Sequence, residues 1–400
     1  QSRGQLRDID ELRAKLHGLA TDPPKASPKP PSSLPLSTST KTPAPAGDVD
    51  DFAALGNLPL VTDPSEGQEL PATPNPAAER FIRRLLAPHL ETPSHPRRQA
   101  IGEAIDKACA DGLRAVLHHP DFQALEARWR LVYDLTSRLD NEGELKLFLV
   151  DVRKDELVAD PDGGAAKLQQ ILSAAQRANG TAWSLWVTDF SFGPSAADVD
   201  LLTRLGGVAQ TLGAPLVGQA DSRLLGLEKL NPLPPLRAWP PLPRAADERW
   251  QRLRHSDVAP WLGLILPRLL VRLPYESKVH AIDAFDFEEL PAGFHHEALL
   301  WGAGSLTIAA LIGQSFLTEG WNLRLGDHLE LDDLPAYTHR SGSELSLQPC
   351  AEVLLNERAV EMILAQGLMP LLSHRNHNAV RLAHFQSVAD PLQSLAGPWQ

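Results

Sequence analysis

The chain has 400 residues, 43% of them hydrophobic and 22% charged, with a formal net charge of -12. That length and apolar share suit two or three domains with a sizeable core, and the acidic balance argues against a nucleic-acid binder, which needs clustered Lys and Arg. Two cysteines, Cys109 and Cys350, exclude a disulfide framework and a zinc site resting on Cys alone; both sit in apolar surroundings and read as small core residues, and their scarcity fits a reducing compartment.

The chain begins with Gln1, not Met, so it is expected to be a piece of a longer product, and the polar N-terminus has no apolar secretory core. Residues 1–20 read as an amphipathic helix, with Leu6, Ile9, Leu12, Leu16 and Leu19 at spacings of three and four. Residues 21–76 are rich in Pro, Ser, Thr and Ala and read as a flexible linker. About thirty residues of it, fully extended, would reach roughly 100 Å.

A first α/β domain with a helical lead-in is expected over 77–230. Helices are predicted over 77–90, 97–118 and 120–139. In the last of these Phe122, Leu125, Trp129, Val132 and Leu135 follow helical spacing, which places Trp129 in the core, while Glu126 and Arg130, four apart, pair on one face. Strands are predicted at Leu145–Val152, Ala182–Phe190 and Pro215–Gln219. Helices at 164–178 and 195–212, the second with Ser195 as N-cap, separate them. Strand–helix alternation of this kind predicts an α/β fold, a three-layer core around a mostly parallel sheet.

A second, α+β domain is expected over 231–400, opening on the Pro-rich stretch 231–244 and a short helix at 246–256. Pro267 interrupts the apolar run 261–273. Residues 297–317 read as a buried helix rather than a membrane span, because Gly, Ser, Thr and Gln dilute the uncharged part from Leu299 to Leu317. Strands at 345–355 and 368–373 flank a helix at 356–366 that stops at Gly367. Arg268 and Arg272 sit four apart inside the apolar run. Since a buried Arg is costly unless paired, a carboxylate partner is expected among Glu288, Glu289, Glu352, Glu357 and Glu361.

Four segments, in order, resemble the large-subunit family of the type VI secretion contractile sheath. They are the His-His-Pro-x-Phe-Gln…Trp-Arg run ending at Trp129–Arg130, and LILPRLLVRLPY from Leu264 to Tyr275 with Glu288–Glu289 beyond it. The third runs from Trp301–Gly302 to Gly320–Trp321, and the fourth is Pro349–Leu372 with Glu352, Glu357, Arg358 and Gly367. Residues 80–390 carry the resemblance. The chain departs from the pattern at Leu131, where the family usually has Gly, and around Gly326–Asp327, where a Gly-rich segment is short. It also stops before the family's further C-terminal region. The helix in 1–20 is similar to the last helix of the small sheath subunit, so a fusion or a truncated, specialised variant is expected.

The resemblance implies a cytoplasmic structural protein, not an enzyme, with no cofactor. Its implied partners are a small sheath subunit, further copies of itself, an inner tube protein, a baseplate and an unfoldase ATPase, with no nucleic acid and no membrane insertion. Trp129, Arg130, Arg268, Arg272, Tyr275, Glu288, Trp321, Glu352, Glu357 and Arg358 become structural or interface candidates. The alternatives are a non-polymerising homologue, baseplate-bound or regulatory, and a cytosolic α/β enzyme. The adjacent pairs His118–His119 and His295–His296 diverge too much to share a metal, His374 and His377 have a workable spacing but sit in a stretch that reads as a polar loop, and no phosphate loop, dinucleotide fingerprint or nucleophile elbow is found.

Overall fold

The computed structural model describes residues 96–139, 145–161, 163–276, 286–291, 293–341, 344–374 and 377–399. The elements expected at 1–20, 21–76 and 77–90 lie outside the described residues. All the described elements belong to one unit, Glu91–Gln400.

Two helices lead in, α1 over Pro96–Leu117 and α2 over Pro120–Arg138. His119 caps α2: its Nδ1 accepts from the Asp121 amide at 3.3 Å, and Pro120 occupies the first helical position, where no amide is needed. The strand expected at Leu145–Val152 is not formed. That stretch has a strand's composition but joins no ladder, and Leu147, Phe148, Leu149 and Val150 remain exposed. β propensity measures fit to a paired, half-buried surface, and here the pairing is missing.

Next come α3 at Lys154–Ala159, α4 at Gly164–Asn179, β1 at Trp186–Phe192, α5 at Ala196–Leu212 and β2 at Leu216–Ala220. Ser195 caps α5, its Oγ accepting from the Asp198 amide at 3.1 Å. The chain continues through α6 at Arg244–Arg254, β3 at Leu262–Leu266 and β4 at Leu269–Arg272, with Pro267 separating the two strands. Then come β5 at Leu300–Gly302, α7 at Ser305–Glu319, β6 at Glu330–Leu331, and the hairpin β7, Tyr337–Ser341, with β8, Glu344–Gln348. The last elements are α8 at Glu357–Ala365, β9 at Met369–Ser373 and β10 at Val380–Leu382.

Six strands form one mixed sheet in the order β1-β2-β3-β9-β10-β6, its first three pairings parallel and its last two antiparallel. Side chains alternate across it. Leu262, Leu264 and Leu266 of β3 join Leu201 and Leu205 of α5 and Trp250 of α6 on one face. Ile265 and Val217 join Ile308 and Leu311 of α7 on the other. Each such large side chain taken out of water contributes about 1.5–3 kcal/mol. The sheet crosses the domain boundary expected at 230/231: β1 and β2 precede it, β3 and β9 follow it, and β3 bonds to both β2 and β9.

Residues 297–317, expected as one helix, instead form a short 3-10 turn, β5 and then α7. The break has a physical cause. The Gly304 amide donates to Gln219 Oε1 at 2.7 Å, and Ser305 Oγ donates to the Thr188 carbonyl at 2.7 Å, so the start of α7 is pinned to the sheet. A Cβ on Gly304 would lie 2.9 Å from the Pro267 carbonyl oxygen, which is why glycine sits there. Among the described residues no helix is long and apolar enough to cross a membrane.

Candidate functional site

α2 is amphipathic in an unusual sense. Its inward face carries Glu126, Ala127, Arg130, Leu131, Asp134, Leu135 and Arg138, a mixture of charge and small or branched apolar groups. Leu131 packs so closely on β5 that a Cβ on Gly302 would lie 2.6 Å from its Cδ1. Beside that contact β4 brings Arg272, only 7% exposed, against Glu126.

Arg272 is the hub. Its Nε donates to Glu126 Oε1 at 2.7 Å and its Nη2 to Glu126 Oε2 at 3.3 Å. Its Nη1 and Nη2 donate to the two oxygens of Glu289 at 2.7 and 3.1 Å. The guanidinium plane also lies 4.6 Å from the centre of the Tyr275 ring. Glu289 and Tyr275 are tied reciprocally: the Tyr275 amide donates to Glu289 Oε2, and the Glu289 amide donates to the Tyr275 carbonyl, both at 2.9 Å. Arg130 closes the circuit, donating to Glu126 Oε1 at 2.8 Å and to the Tyr275 hydroxyl at 3.2 Å. His118 Nε2 stands 3.4 Å from Glu289 Oε1.

Two carboxylates and two guanidiniums therefore balance in charge, with nearly every oxygen occupied. Burial opposes the charge on Arg272, but Glu289 and Glu126 outweigh it and raise its pKa above the ordinary value. Burial likewise pushes the Glu126 carboxyl up, while hydrogen bonds and charge from Arg272 and Arg130 pull it below the usual carboxylate range.

A second pair lies at the start of β4. Arg268 grips Glu352 with both arms, Nε to Oε2 at 2.9 Å and Nη2 to Oε1 at 2.7 Å. The Glu352 carbonyl accepts from Asn231 Nδ2 at 3.0 Å, and the His296 ring approaches it at 3.3 Å while stacking on Trp301. Burial lowers the pKa of His296.

Arg130, Arg268, Arg272, Tyr275 and Glu352 thus fall into two neighbouring clusters joined through β4. The other candidates stand apart. Trp129, expected in the core, is 60% exposed, because the inward face of α2 is taken by Glu126, Ala127 and Leu131 and the next residue round the helix points away. Trp321 is exposed beside Phe316, Glu357 and Arg358 are exposed in the first turn of α8, and the Glu288 carbonyl accepts from Arg114 Nε at 2.9 Å. Asp189, in the middle of β1, accepts from Arg128 at 2.6 Å.

Sequence reading missed Glu126 as the partner of Arg272; its only sign was the spacing to Arg130. It also missed Arg254, which donates to the Val388 and Ala365 carbonyls at 3.0 and 3.1 Å and ties α6 to the end of α8. Burial lowers the pKa of Arg254, partly offset by Asp390. A shallow cavity of about 560 Å³ borders the network, lined in part by Arg114, His118, Glu289, His295 and His296. Such an arrangement clamps: it joins α2, β4, Tyr275 and the 286–291 segment, and its charges are occupied with one another.

Comparison with known sequences places the chain in a family. The sequence model of the VipB family, described as EvpB/VC_A0108, tail sheath N-terminal domain, matches residues 99–389. Type VI secretion system sheath protein TssC1 of Pseudomonas aeruginosa is 27% identical over 341 residues, covering 79% of this chain and 68% of that protein. With the match spanning the sheet, both ion-pair clusters and the helices that carry them, the chain belongs to the VipB tail sheath family, a family of structural sheath proteins.

Proposed function

We propose that this chain is a structural subunit of a type VI secretion contractile sheath. It assembles with a small sheath subunit and with further copies of itself around an inner tube, above a baseplate, and contracts to propel the tube. The observation that carries the reading is the sheath-domain match across residues 99–389. The physics of the described core agrees with it. A subunit that transmits force has to move as a block, and helices on both faces of the six-stranded sheet make such a block of three layers. The Arg272 cluster fastens the lead-in helix to β4 of the β4–β5 ladder, and the Arg268 pair fastens the start of β4 to Glu352. In this scheme the residues before 77 tether the block to a neighbour or present a helix to a recycling unfoldase ATPase, all in the cytoplasm.

Co-expression with a small sheath subunit tests the reading. Electron microscopy of the purified material is expected to show tubes. A heterodimer that never forms tubes would favour the non-polymerising homologue. Failure to bind the small subunit, together with turnover of a small molecule that one substitution abolishes, would overturn the structural reading.

A further inference from the structure

The outward face of α2 is the less expected half of that helix. Phe122, Leu125, Trp129 and Tyr133 fall at spacings of three, four and four, so they line one stripe. Their exposure runs from 37% at Phe122 to 74% at Tyr133. The same helix covers Glu126 and Arg138 beside Ala127, Leu131 and Leu135, while Arg130 and Asp134 stay half-exposed, so charge shares the inner face and the aromatic stripe is left outside. A second apolar stretch joins no ladder: Leu147, Phe148, Leu149 and Val150 are 45% to 71% exposed, with Phe148 edge-on to Trp183 at 5.0 Å.

With aromatic residues offering about 150–250 Å² each, the stripe presents roughly 450 Å² of side chain and the run about 350 Å². A specific interface takes about 800 Å² from each partner, of which about 56–65% is apolar. The stripe therefore supplies roughly the apolar part of one half of such an interface, and the run about three quarters of it. The two are unlike in shape, one a helical ridge and the other a short apolar run. Two unlike patches of similar size on one chain suit a head-to-tail contact, which propagates into an open helical array, whereas a two-fold dimer needs one self-complementary patch. Charge agrees: Asp121, exposed at the start of the stripe, has its opposite in Lys146, exposed at the start of the run.

We propose that the α2 stripe of one copy packs against the Leu147–Val150 run of a second copy of this chain. This rests on the sheath-subunit reading and specifies one contact within it.

The test uses the full chain and two exposed positions, Tyr133→Glu and Leu149→Glu, with circular dichroism confirming the native fold of each. Sedimentation over a concentration series is expected to show wild-type chains forming a concentration-dependent ladder and each variant associating at least tenfold more weakly. Mixed together, the two variants are expected to form a 1:1 pair and stop there, since each keeps the surface the other lacks. Association abolished by Tyr133→Glu but untouched by Leu149→Glu overturns the proposal in favour of a stripe-to-stripe dimer. A wild-type chain that stays monomeric alone overturns it too. Binding of the small sheath subunit, measured in parallel on all three proteins, separates the two readings. Retained binding with no self-association sinks this contact only, and loss confined to small-subunit binding in the variants assigns the stripe to that partner instead.

Discussion

Arg272 shows how a single side chain can hold several elements at once. It is buried among Glu126, Glu289 and Tyr275, which come from α2, from the 286–291 segment and from just beyond β4. Replacing it by Ala leaves Glu126 with only the half-exposed Arg130 and Glu289 with only the Tyr275 amide and His118, so Arg272→Ala is expected to cost about 3–5 kcal/mol. Urea denaturation measures this directly. Arg268→Ala is expected to cost less, since the Arg268 side chain is 46% exposed and water can replace part of what it gives Glu352. The acid response follows from Glu126. Its folded pKa lies below its ordinary value of 4.5, so its contribution to stability is complete above that value and is lost as the pH falls through the folded one. Glu126→Gln is therefore expected to flatten the decline of the urea midpoint below about pH 4.5. An unchanged slope would show that the carboxylate is not held by its neighbours.

At the scale of elements, two glycines separate local propensity from tertiary constraint. Gly367 ends α8 at a φ of 77°, and a Cβ there would lie 2.8 Å from the Val388 carbonyl oxygen, which belongs to backbone and cannot swing aside. Gly367→Ala is expected to destabilise by about 1–3 kcal/mol or more from the left-handed backbone alone. Gly207 lies inside α5, and a Cβ added there would meet nothing within 4 Å. Gly207→Ala is expected to stabilise by about 0.5–1 kcal/mol, because it meets only the helix's own preference. Thermal melts of the two variants should move in opposite directions; a shift of the same sign would mean that the close approach at Gly367 is not what requires glycine.

For the whole molecule, the sheet is what makes residues 91–400 one unit. β3 is bonded on one side to β2 and on the other to β9, strands separated by about a hundred and fifty positions of sequence, and the sheet's two faces hold the two largest apolar clusters. A fragment of residues 91–400 is expected to unfold in one cooperative transition with coincident near- and far-ultraviolet signals. Two separated transitions would show that the boundary expected at residue 230 divides independent folding units after all.

The sequence alone determined most of the local structure. Helical spacing located α1 and α2, Ser195 and Gly367 marked ends of α5 and α8, and Pro267 parted β3 from β4, because caps, glycine and proline act within a few residues of themselves. Four motifs in order also carried the family. Tertiary structure alone decided which face of α2 turns inward, since an aromatic stripe and a charged stripe on one helix are distinguished only by what lies opposite. With Arg272 there, the charged face went in and Trp129 came out. It decided equally that the apolar run at 145–152 is no strand and that residues 297–317 are broken by β5, because a ladder needs a partner whose position no local pattern encodes.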